Sequence, residues 1–284
     1  MTKRALVALV TAAGCLVLSA PAQADRTQPL AQGPVMALPP GGSFLSVGYL
    51  PQPPGASFGA HGHVPGFVYA LSDNVTTAGP VSTAVLDKGE GQFIPALAVH
   101  THKNTANRLR AGTLAIGLVL TVLVLVLVAV AGVPSFRVPL VPALLVLIIA
   151  GGALAFWNPW KNEWFFLGIR PEAARGAPMP LPSASRTYES PEFSNLGAGP
   201  FVESLATMTV GPRGEGTESR ATGAVVFLVL DGRADVTVGN EAPVRLGHHE
   251  AALVQRGDSY RVANPTGSTV RLLRFALTPQ SGAS

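Results

Sequence analysis

Charge is scarce in this chain: 13% of its 284 residues are Asp, Glu, Lys or Arg, about half the usual share of ~25%. That scarcity excludes an acidic disordered chain, a coiled coil and a charge-faced helical bundle. Cysteine is scarcer still, with Cys15 alone, which excludes a disulfide framework and any paired C-x-x-C site. The 20 basic residues against 16 acidic ones are scattered and form no stripe or basic helix, so nucleic acid is not an expected partner. A phosphate-cradling G-x-x-x-x-G-K-[ST] and a G-x-S-x-G nucleophile turn are both missing. What is abundant is apolar surface and turn formers: 48% hydrophobic residues, 31 Gly and 25 Pro. That combination fits short strands joined by tight turns, together with segments able to enter a membrane.

The N-terminus reads as a secretory signal over residues 1–24. Lys3 and Arg4 precede the apolar run Ala5 to Leu18, and Ala22 and Ala24 give the small-x-small cleavage pattern before Asp25. Removing Lys3 and Arg4 lowers the formal net charge of +4 by two. Cys15 lies in A-A-G-C, a loose lipidation box whose leading Ala12 stands where Leu is preferred; the better processing site follows it. Once the signal is removed, no cysteine remains, which suits an oxidising compartment.

Two uncharged apolar stretches occupy the middle of the chain, residues 111–133 and 138–157. Each has about the ~20 residues a helix needs to cross a bilayer core. Four residues, P-S-F-R, separate them, so the expectation is a tight antiparallel transmembrane hairpin. L-V-L-T-V-L-V-L-V-L-V-A-V shows no polar face that a soluble helix pair would need. Trp157, Trp160, Trp164, Phe165 and Phe166 follow the second stretch and suggest an aromatic belt at the bilayer surface. Basic residues on the flanks outnumber Arg137 at the tip, which argues for flanks in the cytoplasm. The signal acts earlier in synthesis, and the expected placement is therefore a two-pass protein of the cytoplasmic membrane with both flanking domains outside it. The lipid bilayer is then one partner.

The first flanking domain, residues 25–110, carries P-P-G-A-S-F-G-A-H-G-H-V-P-G-F-V-Y and later G-E-G-Q-F-I-P-A-L-A-V-H-T-H-K-N. Residues i and i+2 of a strand share a face, so His61 and His63 can present both imidazoles to one interior. His100 on a neighbouring strand would complete a set of nitrogen donors suited to iron, zinc, nickel or copper. Four of the six histidines fall in these two segments, which is more than ordinary scatter. His102 is a substitute or supporting ligand, though an exposed histidine is the plainer reading. The acids near the motifs, Asp73, Asp87 and Glu90, read as solvated turn residues, and no general base can be named.

These two segments resemble the paired motifs of the cupin superfamily, G-x5-H-x-H-x3,4-E-x6-G and G-x5-P-x-G-x2-H-x3-N. Gly55, His61 and His63 match the first, and Gly89, Pro95, His100 and Asn104 match the second. Leu97 stands where the family has Gly, and the acidic ligand position falls on Phe67 or Val68. The resemblance implies a jelly-roll barrel with a divalent transition metal on His61, His63 and His100, lacking the usual glutamate.

Residues 190–281 show dense strand signals, including A-V-V-F-L-V-L-D-G and T-V-R-L-L-R-F-A-L, and read as an all-β sandwich or barrel. They also resemble a cupin, with Gly257 and Asn264 matching the second motif and Tyr260 in the histidine position. The first-motif ligand positions fall among Ser219, Arg220, Ala221 and Thr222, with Val225 at the acid, so this copy implies no metal. His248 and His249 lie ahead of the motif on a turn and read as exposed; Glu218 is one acid without histidine partners. The stretch 158–189 is expected to hold the aromatic interface and a Pro/Ala-rich linker.

The fold class is thus mainly β: two cupin-type jelly-roll barrels flanking a two-helix transmembrane hairpin, a bicupin able to dock its sheets on each other or to form a homodimer through them. The expected function is extracytoplasmic binding of a metal or a small-molecule ligand by the first barrel. A three-histidine metal enzyme such as a dioxygenase, and a non-catalytic scaffold for another membrane component, are the alternatives.

Overall fold

Runs of Val, Thr, Phe and Tyr punctuated by Gly and Pro form strands because branched and aromatic side chains pack well on a pleated surface. The computed structural model describes residues 26–79, 83–104, 162–179, 183–197, 199–216 and 218–280, together with residues 117–119, 121–123 and 126. The first barrel begins with β2 (Ser43–Gln52), β3 (Ser57–His61), β4 (Gly66–Ala70) and β5 (Val75–Ala78), and continues with β6 (Thr83–Leu86), β7 (Gly91–Ile94) and β8 (His100–Lys103). Its last strand, β9 (Asn162–Pro171), comes after the central apolar stretch. The two sheets of this barrel run β2-β9-β4-β7 and β3-β8-β5-β6. That is the interleaved order of a double-sheet jelly roll.

The second barrel repeats the pattern. Its strands are β11 (Phe201–Val210), β12 (Ser219–Arg220), β13 (Ala224–Asp231), β14 (Ala234–Val238), β15 (Val244–Leu246), β16 (Ala251–Val254), β17 (Ser259–Ala263) and β18 (Val270–Pro279). They order as β11-β18-β13-β16 and β12-β17-β14-β15. Each larger sheet gains a fifth strand from elsewhere in the chain. β1 (Arg26–Val35) pairs with β11 of the second barrel, and β10 (Ser185–Glu189) pairs with β2 of the first. This exchange covers the two sheet edges that would otherwise carry unpaired backbone groups.

Three hydrophobic cores result among the described residues. One fills the first barrel with Leu50, Val68, Ala70, Val75, Leu86, Ile94 and Trp164, and a second fills the other barrel around Phe227, Val236, Val262 and Leu272. The third lies between the two larger sheets, where Leu45, Val47, Phe67, Tyr69, Phe165 and Leu167 meet Phe201, Leu205, Val226, Leu228, Leu273 and Phe275. Strands such as β4 and β13 are apolar at successive positions because both of their faces are covered. Each fully buried Phe or Leu there contributes about 1.5–3 kcal/mol. Glycine is required where β4 starts: a Cβ on Gly66 would overlap the Leu167 carbonyl oxygen of β9.

Several expectations are corrected. The apolar stretch does not separate two barrels; it is inserted between β8 and β9 of the first, whose closing strand lies beyond residue 110. Trp164 and Phe165 are not an aromatic belt but core residues, 1% and 0% exposed, and Phe166 packs beside the first barrel's interior. The segment 158–189 is only partly a linker, since it contributes β9, a 3-10 turn at Glu172–Ala174 and β10. The expected two-pass placement in the cytoplasmic membrane is not supported: among the described residues no helix is long and apolar enough to cross a membrane. The signal segment 1–24, Trp157 and Trp160, and nearly all of the two expected spans lie outside the described residues.

One polar group breaks the apolar alternation of the inter-barrel core. Glu203 lies on β11 between Phe201 and Leu205, is 0% exposed, and neither carboxylate oxygen has a hydrogen-bond partner among the described residues. Burial pushes its carboxyl from the ordinary 4.5 up to about 8. The unfolded chain releases this proton near pH 4.5, whereas the folded chain holds it to about pH 8. Stability therefore falls as pH rises across that window. Glu203→Gln should remove the slope and stabilise the protein at about pH 8 by a few kcal/mol, read as the urea midpoint at about pH 5 and about pH 8. An unchanged slope in the variant would show that Glu203 is solvated or paired.

Candidate metal centre

The H-T-H-K of β8 alternates, so His100 and His102 share one face and point into the barrel, 4% and 1% exposed, while Thr101 turns outward to the Ala78 carbonyl. The facing strand β3 pairs Phe58 with His102 and His61 with His100, with a bulge between the two pairs. Phe58 and His61 are three residues apart and would face opposite ways in a regular strand. The extra residue in the bulge puts both on the face of their partners. His61 ends β3, and His63 lies past it in the following turn, not on the strand. The expectation that these two share a strand face is therefore corrected: His63 is held in place by the Leu97 N–H, which donates to its carbonyl oxygen at 2.9 Å.

Backbone carbonyls hold three of the rings. Nδ1 of His61 lies 2.8 Å from the Gly59 oxygen, Nδ1 of His63 2.6 Å from Val64, and Nδ1 of His100 2.7 Å from Ala98. A carbonyl only accepts, so each Nδ1 carries the proton and each Nε2 bears a lone pair. Nε2 of His63 and Nε2 of His100 are 3.2 Å apart. Two nitrogens bound at ~2.0–2.1 Å to one tetrahedral ion would be about 3.3 Å apart. The ligand nitrogens of His61, His100 and His102 all lie within 4.8 Å of one another.

His102 is the residue that sequence reasoning undervalued. Far from exposed, its ring packs at a tilt against Trp164 with centroids 4.2 Å apart, and its Nε2 is buried with no hydrogen-bond partner among the described residues. Its Nδ1 lies 3.4 Å from Thr77 Oγ1, and its carbonyl accepts from Gln52 Nε2 at 3.0 Å. The signal that could have found it was the same i, i+2 alternation already applied to His61 and His63. Burial and the neighbouring imidazoles lower the pKa of His102 to about 3, and burial first, then His100 and His61, lower that of His63 to about 4. His100 is lowered for the same reasons. All three imidazoles are neutral at pH 7, the state in which imidazole binds a metal.

Beside the rings is a cavity of about 120 Å³ lined by Leu50, His61, Gly62, His63, His102, Trp164, Phe166, Met179 and Ala184. Among the described residues its walls carry no acid and no base other than histidine. Asp73, Asp87 and Glu90 are exposed turn residues, as expected: Glu90 Oε2 accepts the Asp87 N–H at 2.8 Å, and Asp73 Oδ1 accepts that of Lys88 at 3.0 Å.

The second barrel has the same skeleton without the donors. His249 N–H donates to Val229 O and Glu250 N–H to Gly247 O, just as Gly89 N–H donates to Ala70 O and Glu90 N–H to Asp87 O. Asn264 sits at the end of β17 as Asn104 does at the end of β8, and each amide donates to backbone carbonyls, Asn104 to Gln52 and Asn264 to Gly211, both at 2.8 Å. On this frame Ser219 pairs with Tyr260 where His61 pairs with His100. Tyr260 packs its ring on Phe227, centroids 5.3 Å apart. Glu218 and His248 are exposed, but His249 is half-buried against Phe165, centroids 4.9 Å apart, which corrects its expected exposure.

No protein-family model and no curated protein matches the chain. Among solved structures it is similar to Bacillus subtilis oxalate decarboxylase, described with Mn(II) centres, over 88% of this chain and 78% of that one, at 9% identity and a TM-score of 0.49. A cupin 2 conserved barrel domain protein from Leptotrichia buccalis aligns over 87% of this chain and 89% of its own, at 10% identity and a TM-score of 0.40. The Schizosaccharomyces pombe Cnp3 cupin domain aligns over 28% of this chain at 21% identity and a TM-score of 0.26, and the chain spans 57% of its length. The two-barrel architecture rests on the strand order of this chain itself.

Leu97 occupies the glycine position of the second motif and adopts φ 58°, where Gly257, at the matching turn of the second barrel, has φ 95°. A leucine in the left-handed region is strained by ~1–2 kcal/mol, and at 80% exposure it gains little from burial. Leu97→Gly should stabilise the protein by up to about 1 kcal/mol after the entropy cost of glycine. The check is thermal denaturation; a lower midpoint in the variant would mean that Leu97 packs against something.

Proposed function

We propose that the first barrel binds a transition-metal ion, held by His61, His100 and His102 with His63 as a fourth nitrogen donor, and that the adjoining cavity admits a small, largely uncharged ligand. The observation that carries this reading is the buried Nε2 of His102, which has no hydrogen-bond partner among the described residues and lies in a cluster of other imidazole nitrogens. A buried polar atom without a partner costs about 1–3 kcal/mol, and a bound cation would offset that cost. The carbonyl bonds to Nδ1 support it, because an outer hydrogen bond of this kind fixes the tautomer and ring orientation of a metal-ligating histidine.

When bound, the ion supplies a Lewis-acid centre at the wall of the cavity. The chain's own residues do the rest. Trp164 and Phe166 fix the planes of His102 and His63 by ring contact, with centroids 4.2 Å and 4.3 Å apart. Leu50, Trp164 and Phe166 exclude water from one side. Among the described residues no acid or lysine lines the wall, and binding rather than turnover is the reading proposed. The second barrel serves as a structural partner with an apolar core of its own.

Elemental analysis of the purified chain after reconstitution should find near-stoichiometric metal. His100→Ala/His102→Ala should abolish it, and His63→Ala should weaken binding by about 10–100-fold, the usual effect of losing a supporting group. Absence of metal from the parent chain, or its retention by the double variant, would remove this reading.

A further inference from the structure

The donors gathered in the first barrel are imidazole nitrogens, which bind a metal in their neutral form. Among the described residues no carboxylate lines the cavity. An ion seated there therefore keeps its full charge in a partly dry, apolar surrounding. The desolvation cost of an ion rises with the square of its charge, so a monovalent ion costs about a quarter of what a divalent one of the same size does. Such a site discriminates against divalent ions unless an anion enters with them.

A soft donor stands at the same cavity. Met179 belongs to the segment between the barrels, after the 3-10 turn at Glu172–Ala174, yet it lines the cavity together with His61, His63 and His102. Its terminal methyl sits against β2: a Cβ on Gly48 would overlap it. Gly48 has an ordinary backbone conformation, since it is not among the glycines of positive φ, so the turn chemistry of glycine does not explain it. The missing side chain is what leaves room for the thioether. Thioether sulfur favours soft, low-charge ions and selects cuprous copper over harder ones, while imidazole accepts both.

We propose that the ion held by the first barrel is monovalent copper, with Met179 supplying a thioether donor from the cavity side and Gly48 making the space for it. This rests on the reading of the histidine cluster as a metal centre. The full chain is titrated anaerobically with Cu(I) against a chromophoric chelator, and separately with Zn(II), in the parent, in Met179→Leu and in Gly48→Val. Leucine keeps the apolar volume of methionine and removes only the sulfur, so it separates ligation from packing. The expected result is that Cu(I) affinity falls at least ~10-fold in both variants while Zn(II) affinity is unchanged in Met179→Leu. A copper–sulfur distance in the X-ray absorption spectrum of the parent should vanish in Met179→Leu. Unchanged Cu(I) affinity in Met179→Leu, or Zn(II) that displaces Cu(I) at equal concentration, would overturn this inference and leave the metal centre standing. Failure of either ion to bind the parent would overturn both.

Discussion

Everything in this molecule depends on the apolar contact between the two larger sheets. Each is covered on its inner face by its own barrel and on its outer face by the other sheet, so neither barrel can be stable in this form without its partner. The exchange of β1 and β10 ties the contact together, because each barrel's fifth strand arrives from the other side of the chain's middle. β9 carries that constraint into the site. Phe165, Leu167 and Ile169 of β9 join the inter-barrel core, whereas Trp164 faces inward and packs at a tilt against His102. The rigidity of the interface is transmitted to the metal ligands through one strand by simple alternation.

The two barrels show what a shared skeleton does and does not require. Both keep a buried asparagine at the end of the same strand, bonded to backbone carbonyls. Both place a left-handed residue at each of two matching turns: Gly89 and Leu97 in the first barrel, His249 and Gly257 in the second. Each barrel therefore has one glycine and one strained residue at these turns. The strain at His249 coincides with ring contacts to Phe165 and Tyr49 across the inter-barrel junction, and Tyr49 in turn donates to Glu163. The interiors diverge completely. One carries an imidazole cluster beside a cavity, and the other carries an apolar core with no such cluster among its described residues.

Burial decides the electrostatics in both places where polar groups lie deep. Among the histidines it keeps the rings neutral and leaves lone pairs close together, an arrangement that a cation relieves. At Glu203 it keeps a carboxyl protonated within an apolar layer. The difference between a site and a defect is company. His102 has nitrogen neighbours within ligand distance, while Glu203 stands without a hydrogen-bond partner among the described residues.

Periodicity and turn residues made the strands, the mainly β class and the two similar halves legible, because alternation and left-handed glycine positions are local properties of the chain. The histidine segments were legible for the same reason: H-G-H and H-T-H are spacings along a chain. Which histidines share a face was not, since the bulge after Phe58 reorients His61 and the turn after β3 lifts His63 off the strand. The closing strand was misassigned because N-E-W-F-F-L-G-I-R-P reads locally as an aromatic membrane border. Only pairing with β2 and β4, more than 90 residues earlier, reveals it as the strand that completes the first barrel. Met179 and Gly48 had no pattern at all. Their meeting depends on how the segment between β9 and β10 folds back across β2, a long-range contact with no local signature.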